Sequence, residues 1–131
     1  MSKVKVLIID DEVDYLSVMK ERLESWGYEV ILAQGGKEGL AEVKEKSPDI
    51  VILDYFMPDM DGVAVLKEIR KFNKSLAVIM LTAHADIKNI KSAQELGVST
   101  FIPKLSPYSD VQASLRSALD MASKKIKDNK G

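Results

Sequence analysis

The sequence predicts an α/β domain built on a doubly wound, five-stranded parallel sheet with helices on both faces. Two observations carry that expectation. Short apolar runs rich in β-branched residues alternate with amphipathic helical stretches from one end of the chain to the other. Several of those runs are apolar throughout, which suits strands buried on both faces. Strands joined by crossover helices pair in parallel, and right-handed crossovers lay the helices on the two faces.

Each element has its own signal. Val4 to Ile9 is too brief for a helix and reads as the first strand. From Glu12 to Trp26 the period changes: Leu16, Met19, Leu23 and Trp26 fall three and four apart, and Gly27 follows as a stop. Tyr28 to Ala33 is the second strand, and Glu29 inside it fits a sheet edge. Gly36 to Lys46 carries Leu40 and Val43 and ends before Ser47-Pro48. Ile50 to Leu53 is the third strand. Pro58-Asp59-Met60-Asp61-Gly62 is turn chemistry, and the helix beyond it sets Val65, Leu66, Ile69 and Phe72 on one side. Leu76 to Leu81 is the fourth strand, and Ile87, Ile90, Ala93 and Leu96 mark a helix that Gly97 closes. Thr100 to Ile102 is a short fifth strand. Val111, Leu115, Ala118, Leu119, Ala122 and Ile126 stripe the last helix.

No composition break, internal repeat or low-complexity stretch interrupts this series, so residues 1–131 are read as one domain with its core in about residues 3–123. The charged stretch 124–131 reads as the solvated end of the last helix in preference to the start of a linker. At 46% hydrophobic residues the chain can build a real core, which argues against disorder. A formal net charge of -1 argues against an electrostatic grip on nucleic acid. With no cysteine, disulfides, thiol catalysis and zinc–thiolate sites are excluded, and the single histidine, His84, cannot build a multi-histidine metal site. No apolar run approaches a membrane span and the start lacks the pattern of a signal peptide, so a soluble cytoplasmic protein is expected.

In open parallel sheets ligands sit beyond the carboxyl ends of the strands. Read there, the sequence places Asp10 and Asp11 after the first strand, Asp54 after the third, Thr82 after the fourth and Lys104 after the fifth. Three carboxylates brought to one rim repel, and a cation relieves that repulsion. Hard oxygen ligands select Mg²⁺ or a similar ion, which takes one or two carboxylates and leaves positions for water and phosphate oxygens. A carboxylate is also an accepted covalent carrier of phosphate. A phosphoryl group in transfer needs positive charge and donors at fixed places, which the metal, Lys104 and the Thr82 hydroxyl offer.

Four segments then resemble one family: Val6-Leu7-Ile8-Ile9-Asp10-Asp11-Glu12, Ile52-Leu53-Asp54-Tyr55-Phe56-Met57-Pro58-Asp59-Met60-Asp61-Gly62, Met80-Leu81-Thr82-Ala83, and Phe101-Ile102-Pro103-Lys104. Together, in order and at matching element ends, they are similar to response-regulator receiver domains of two-component signalling. The resemblance implies a flavodoxin-like sheet of strand order 2-1-3-4-5. It implies Asp54 as phosphoacceptor, Asp11 as a direct Mg²⁺ ligand with Asp10 assisting through water, and the Phe56 main-chain carbonyl as a further ligand. Lys104 would pair with the phosphoryl group, and Thr82 and Phe101 would form the switch pair. The implied donor is a phosphohistidine on a partner histidine kinase or phosphotransfer protein. The implied output is a downstream protein or attached effector domain, met by the face of the fourth helix, fifth strand and last helix. Such a domain is a signalling switch that catalyses only its own phosphorylation and dephosphorylation, and it can also homodimerise when phosphorylated.

The chain departs from the family at one place. Many members put proline after the lysine, with a cis bond, whereas Leu105 follows Lys104 here. A cis bond before a non-proline residue costs about 2.5–4 kcal/mol. Either a trans bond with a rearranged loop or a cis bond held by its surroundings is therefore expected. Phe56, two residues beyond the acceptor, either shields the acyl phosphate from in-line water or packs locally. His84 is read as a solvent-facing loop residue in preference to a phosphoryl ligand. Asp59 and Asp61 are read as turn and cap residues without chemistry, and Gln34-Gly35-Gly36-Lys37-Glu38-Gly39 as a turn into a helix, because phosphate-loop spacing is absent.

Two further functional classes compete. A receiver-fold binding module working without phosphorylation is disfavoured by the intact set of rim residues. A phosphohydrolase with an aspartate nucleophile usually carries a second acid two residues on, where this chain has Phe56. A nucleotide or flavin site lacks its glycine-rich turn after the first strand.

Overall fold

The computed structural model describes residues 3–82, 87–103 and 108–130. Strands β1 (Lys5–Ile9), β2 (Glu29–Ala33), β3 (Ile50–Asp54), β4 (Ala77–Thr82) and β5 (Thr100–Pro103) alternate with helices α1 (Val13–Ser25), α2 (Gly36–Lys46), α3 (Gly62–Phe72), α4 (Ile87–Glu95) and α5 (Tyr108–Lys130). The strands form one parallel sheet of order β2-β1-β3-β4-β5. The predicted fold class and strand order are therefore the observed ones.

The apolar strands are explained by the two cores they serve. Successive residues point to opposite faces. Val6, Ile8, Ile50, Ile52, Ile79 and Leu81 join α1 residues Leu16, Met19 and Leu23 and α5 residues Leu115 and Leu119 in one buried cluster. Their neighbours Leu7, Ile9, Val51, Leu53, Val78 and Met80 join Val43 of α2, Val65, Leu66 and Ile69 of α3, and Ala93 of α4 in the other. So α1 and α5 cover one face and α2, α3 and α4 the other. Strand β2 lies at the edge, with Glu29 exposed as its position requires.

Gly27 and Gly97 hold left-handed backbone (φ 95° and 74°) just beyond α1 and α4, as their reading as helix stops requires. The half-buried guanidinium of Arg70 in α3 donates to the Leu96 and Gly97 carbonyls, tying α3 to the end of α4. Burial lowers its pKa.

Three expectations are corrected. Phe72 shares the helical spacing of Val65, Leu66 and Ile69 but not their burial: it is the last helical residue, 45% exposed, and its ring lies 5.3 Å from the Lys44 ammonium. Tyr28 precedes β2 instead of opening it. The fourth strand runs one residue later than predicted, so that Thr82 closes it, as Asp54 closes β3. The charged stretch 124–130 continues α5 as helix.

Candidate functional site

The site forms where β1 and β3 end side by side. Register pairs Ile9 with Leu53, which sets Asp10 beside Asp54 at the next position. The backbone of Asp10 stays tied to the sheet, its amide donating to the Ala33 carbonyl at 3.1 Å. Its side chain is 2% exposed, and Oδ1 accepts the Glu12 amide at 3.0 Å at the start of α1. Asp11 follows, exposed. One carboxylate oxygen from each of Asp10, Asp11 and Asp54 lies within 4.8 Å of the others. The adjacent pair Asp10 and Asp11 is thus brought together with Asp54, more than forty residues away in the sequence.

That spacing suits a small hard cation. Bonds of about 2.1 Å put opposite ligands of an octahedral Mg²⁺ about 4.2 Å apart, so the three oxygens close on such an ion with little movement, or reach it through a water. All three donors are carboxylate oxygens, the ligand type Mg²⁺ prefers.

The other rim residues divide. Thr82 is fully buried at the end of β4. Met80 points into the α2–α3–α4 face, and Thr82, two residues on, shares that side. Phe101 pairs with Met80 in register and packs half-buried on the same cluster, so Thr82 and Phe101 lie on one face of adjacent strands. Lys104, His84 and the Lys104–Leu105 bond lie outside the described residues. Phe56 is 48% exposed, with its ring edge-on to that of Tyr55 at 4.6 Å between centroids.

The loop 55–61 between β3 and α3 is anchored at its base, where the Gly62 amide donates to the Tyr55 carbonyl at 2.7 Å. A Cβ on Gly62 would stand 2.9 Å from the Tyr55 Cα, so only glycine admits this closure. Asp61 caps α3, accepting the Ala64 amide at 2.8 Å. Asp59, read with Asp61 as a turn and cap residue, caps a helix other than the one that follows it. Its two oxygens accept the amides of Gly36 (3.1 Å) and Lys37 (3.0 Å) at the start of α2. The Lys37 and then the Gly36 amide hold its carboxyl below the usual carboxylate range. The glycine-bearing helix start is thus met by the protein's own carboxylate. No sequence signal links positions 23 apart through backbone amides, which every residue but proline carries.

The family model described as "Response regulator receiver domain" matches residues 6–116. The chain is 33% identical over 116 residues to the transcriptional regulatory protein ZraR of Escherichia coli O157:H7, covering 88% of this chain but 26% of that protein. It therefore spans about a quarter of that relative. A CheY-like receiver domain protein from Methanospirillum hungatei JF-1 superposes with TM-score 0.84 at 30% identity, covering 95% of this chain and 99% of that one. The response regulator protein TrrA of Thermotoga maritima, solved in complex with Mg(2+)-BeF, superposes with TM-score 0.75 at 30% identity, covering 87% and 97%. Among the described residues no helix is long and apolar enough to cross a membrane.

Proposed function

From the premise that this chain belongs to the response regulator receiver domain family, we propose that it accepts a phosphoryl group on Asp54 with Mg²⁺ held beside it, and that phosphorylation switches a protein-interaction face. The observation that carries this reading is the convergence of Asp10, Asp11 and Asp54 at the ends of β1 and β3.

Asp11, exposed, is the direct metal ligand together with Asp54 and the Phe56 carbonyl. Asp10, buried and committed through one oxygen to the Glu12 amide, assists through its other oxygen. Bound there, Mg²⁺ neutralises the acids and offsets charge on the phosphoryl oxygens. An Asp54 oxygen attacks phosphorus, the P–N bond of the donor phosphohistidine breaks, and its electron pair stays on the imidazole, which takes up a proton. Lys104 pairs with the transferred group, and Thr82 donates its hydroxyl to one of its oxygens.

Movement of Thr82 frees space that the Phe101 ring fills, which is why their placement on one sheet face matters. A hydroxyl bond to a charged oxygen is worth about 1.5–3 kcal/mol. That biases a two-state equilibrium by roughly ten- to a hundred-fold. The domain acts as a cytoplasmic signalling switch: the donor is a histidine kinase or phosphotransfer protein, and the receiver of the signal is a downstream protein or effector domain.

The test is intact mass after incubation with Mg²⁺ and acetyl phosphate. One phosphoryl group should be gained, only with Mg²⁺, and not by Asp54→Asn. A folded, Mg²⁺-binding chain that gains nothing would replace this reading with a binding module that works without phosphorylation.

A further inference from the structure

The loop 55–61 has a second anchorage that its own turn does not need. Its base is closed by the Tyr55–Gly62 bond, and its end is joined to α3 through the Asp61 cap. Asp59 carries the loop outward to α2, where the Gly36 and Lys37 amides are two of the donors a helix start leaves without an intrahelical partner. The N-cap residue of α2 is Gly35, which has no side chain to satisfy them. Met60 completes the contact: a Cβ on Gly36 would fall 2.9 Å from the Met60 Cβ and 2.9 Å from Val65 Cγ2. A Cβ on Gly35 would stand 3.1 Å from an Asp59 oxygen. The glycine pair thus serves close approach of this loop to α2.

Phe56 lies between the two anchorages. Asp59 and Asp11 line one open groove with Gln34, Lys37 and Pro58, so the brace stands beside the acidic cluster without belonging to it. A ligand held in place before binding spares the cost of ordering it, whereas a site populated only part of the time binds more weakly by that fraction.

We propose that Asp59 is a positioning residue of the metal site: by bracing the loop 55–61 against the start of α2 it pre-sets the Phe56 carbonyl for Mg²⁺. This rests on the reading of Asp10, Asp11, Asp54 and the Phe56 carbonyl as the Mg²⁺ site. Asp59 also carries a negative charge, which would draw in a cation with no brace at all. The two effects separate in Asp59→Asn, which is neutral but keeps an oxygen able to accept one of the amides, and Asp59→Ala, which keeps neither charge nor acceptor.

The experiment is calorimetric titration of the whole chain with Mg²⁺ alone, paired with amide hydrogen exchange at Gly36 and Lys37 in its absence. Asp59→Ala should weaken Mg²⁺ binding on the order of ten-fold, the low end of what outer partners contribute to metal sites. It should also speed exchange at both amides, and Asp59→Asn should recover most of the affinity. Asp59→Gln, neutral but with its amide displaced by a methylene, replaces the alanine variant should that fail to fold. Faster exchange with unchanged Mg²⁺ affinity would overturn the proposal. So would equal weakening in the asparagine and alanine variants that raised ionic strength abolishes, since that is charge alone. Failure of the unmodified chain to bind Mg²⁺ would instead sink the reading of the site itself, and this inference with it.

Discussion

The Glu12 amide donates to Oδ1 of Asp10 at 3.0 Å, so one of the two oxygens of the buried acid is committed to the turn into α1. Its neighbour Asp11 is exposed. The pair is therefore unequal despite its identical chemistry. Asp11→Asn should weaken Mg²⁺ binding more than Asp10→Asn, because asparagine at position 10 keeps an acceptor for the Glu12 amide. Without Mg²⁺, either change should raise the thermal midpoint, since it removes one of three crowded carboxylates. With saturating Mg²⁺ that advantage should shrink or reverse. Equal Mg²⁺ affinities for the two variants would show that the Glu12 contact does not divide their roles.

The strand positions and the acidic cluster were legible because one signal sets both, whereas the strand order came from the family resemblance. Apolar runs bounded by polar residues fix where each strand ends, and in a parallel sheet those ends share a rim, so Asp10, Asp11 and Asp54 meet there. The one-residue difference at Thr82 is harmless, because a buried hydroxyl can close a strand as readily as follow it. Periodicity gives the face of one element and says nothing of what stands opposite. Phe72 keeps the helical spacing of Ile69, yet α3 ends at it, and Lys44 of α2 partners its exposed ring. The Asp59 brace was illegible for a different reason: its partners are backbone amides, invisible in side-chain identity. Gly35 and Gly36 were the only trace, and a pair of glycines records that something comes close without saying what.

Ser47 closes α2 in left-handed backbone (φ 46°, ψ 60°), its amide donating to the Val43 carbonyl at 3.2 Å. An L side chain pays about 1–2 kcal/mol for that conformation. Pro48 adds to the strain, because a proline restricts the residue before it to extended backbone. Ser47→Gly should therefore stabilise the domain by about 0.5–1 kcal/mol, after the greater freedom of glycine in the unfolded chain is discounted. Urea unfolding should show a higher midpoint at unchanged slope. A lower midpoint would mean that the serine side chain contributes more than its backbone strain costs.

Tyr28 joins the start of β2 to α5. Its hydroxyl donates to Asp120 at 3.3 Å and accepts from Ser123 at 3.2 Å. Burial, reinforced by the Asp120 charge and opposed by the Ser123 bond, raises the phenol above its usual pKa. The folded state thus holds this proton more tightly than the unfolded state. The contribution is complete below the ordinary phenol value near 10 and is lost as pH rises from there through the raised folded value. Tyr28→Phe should lower stability at neutral pH by about 1 kcal/mol, the scale of one hydrogen bond. Its deficit against the unmodified chain should narrow above pH 10. A deficit that stays constant across that range would show that Tyr28 does not titrate differently on folding.

Phe56 stands two residues beyond Asp54, the proposed acceptor, half exposed and edge-on to Tyr55. An acyl phosphate on Asp54 is lost when water attacks phosphorus in line, opposite the Asp54 oxygen. Were the exposed Phe56 ring to stand over that path, it would neither orient a water nor leave it room, and the phosphorylated state should be long-lived. Phe56→Asn, with a polar amide able to hold a water, should speed loss of the phosphoryl group by about ten-fold, equivalent to about 1.4 kcal/mol of barrier. Decay is followed by intact mass after the donor is removed, with Mg²⁺ saturating so that metal affinity does not enter. Phe56→Leu, apolar and still bulky, should decay nearly as slowly as the unmodified chain. If the asparagine variant decays at the unmodified rate, the ring does not guard the path, and its contact with Tyr55 is a matter of local packing.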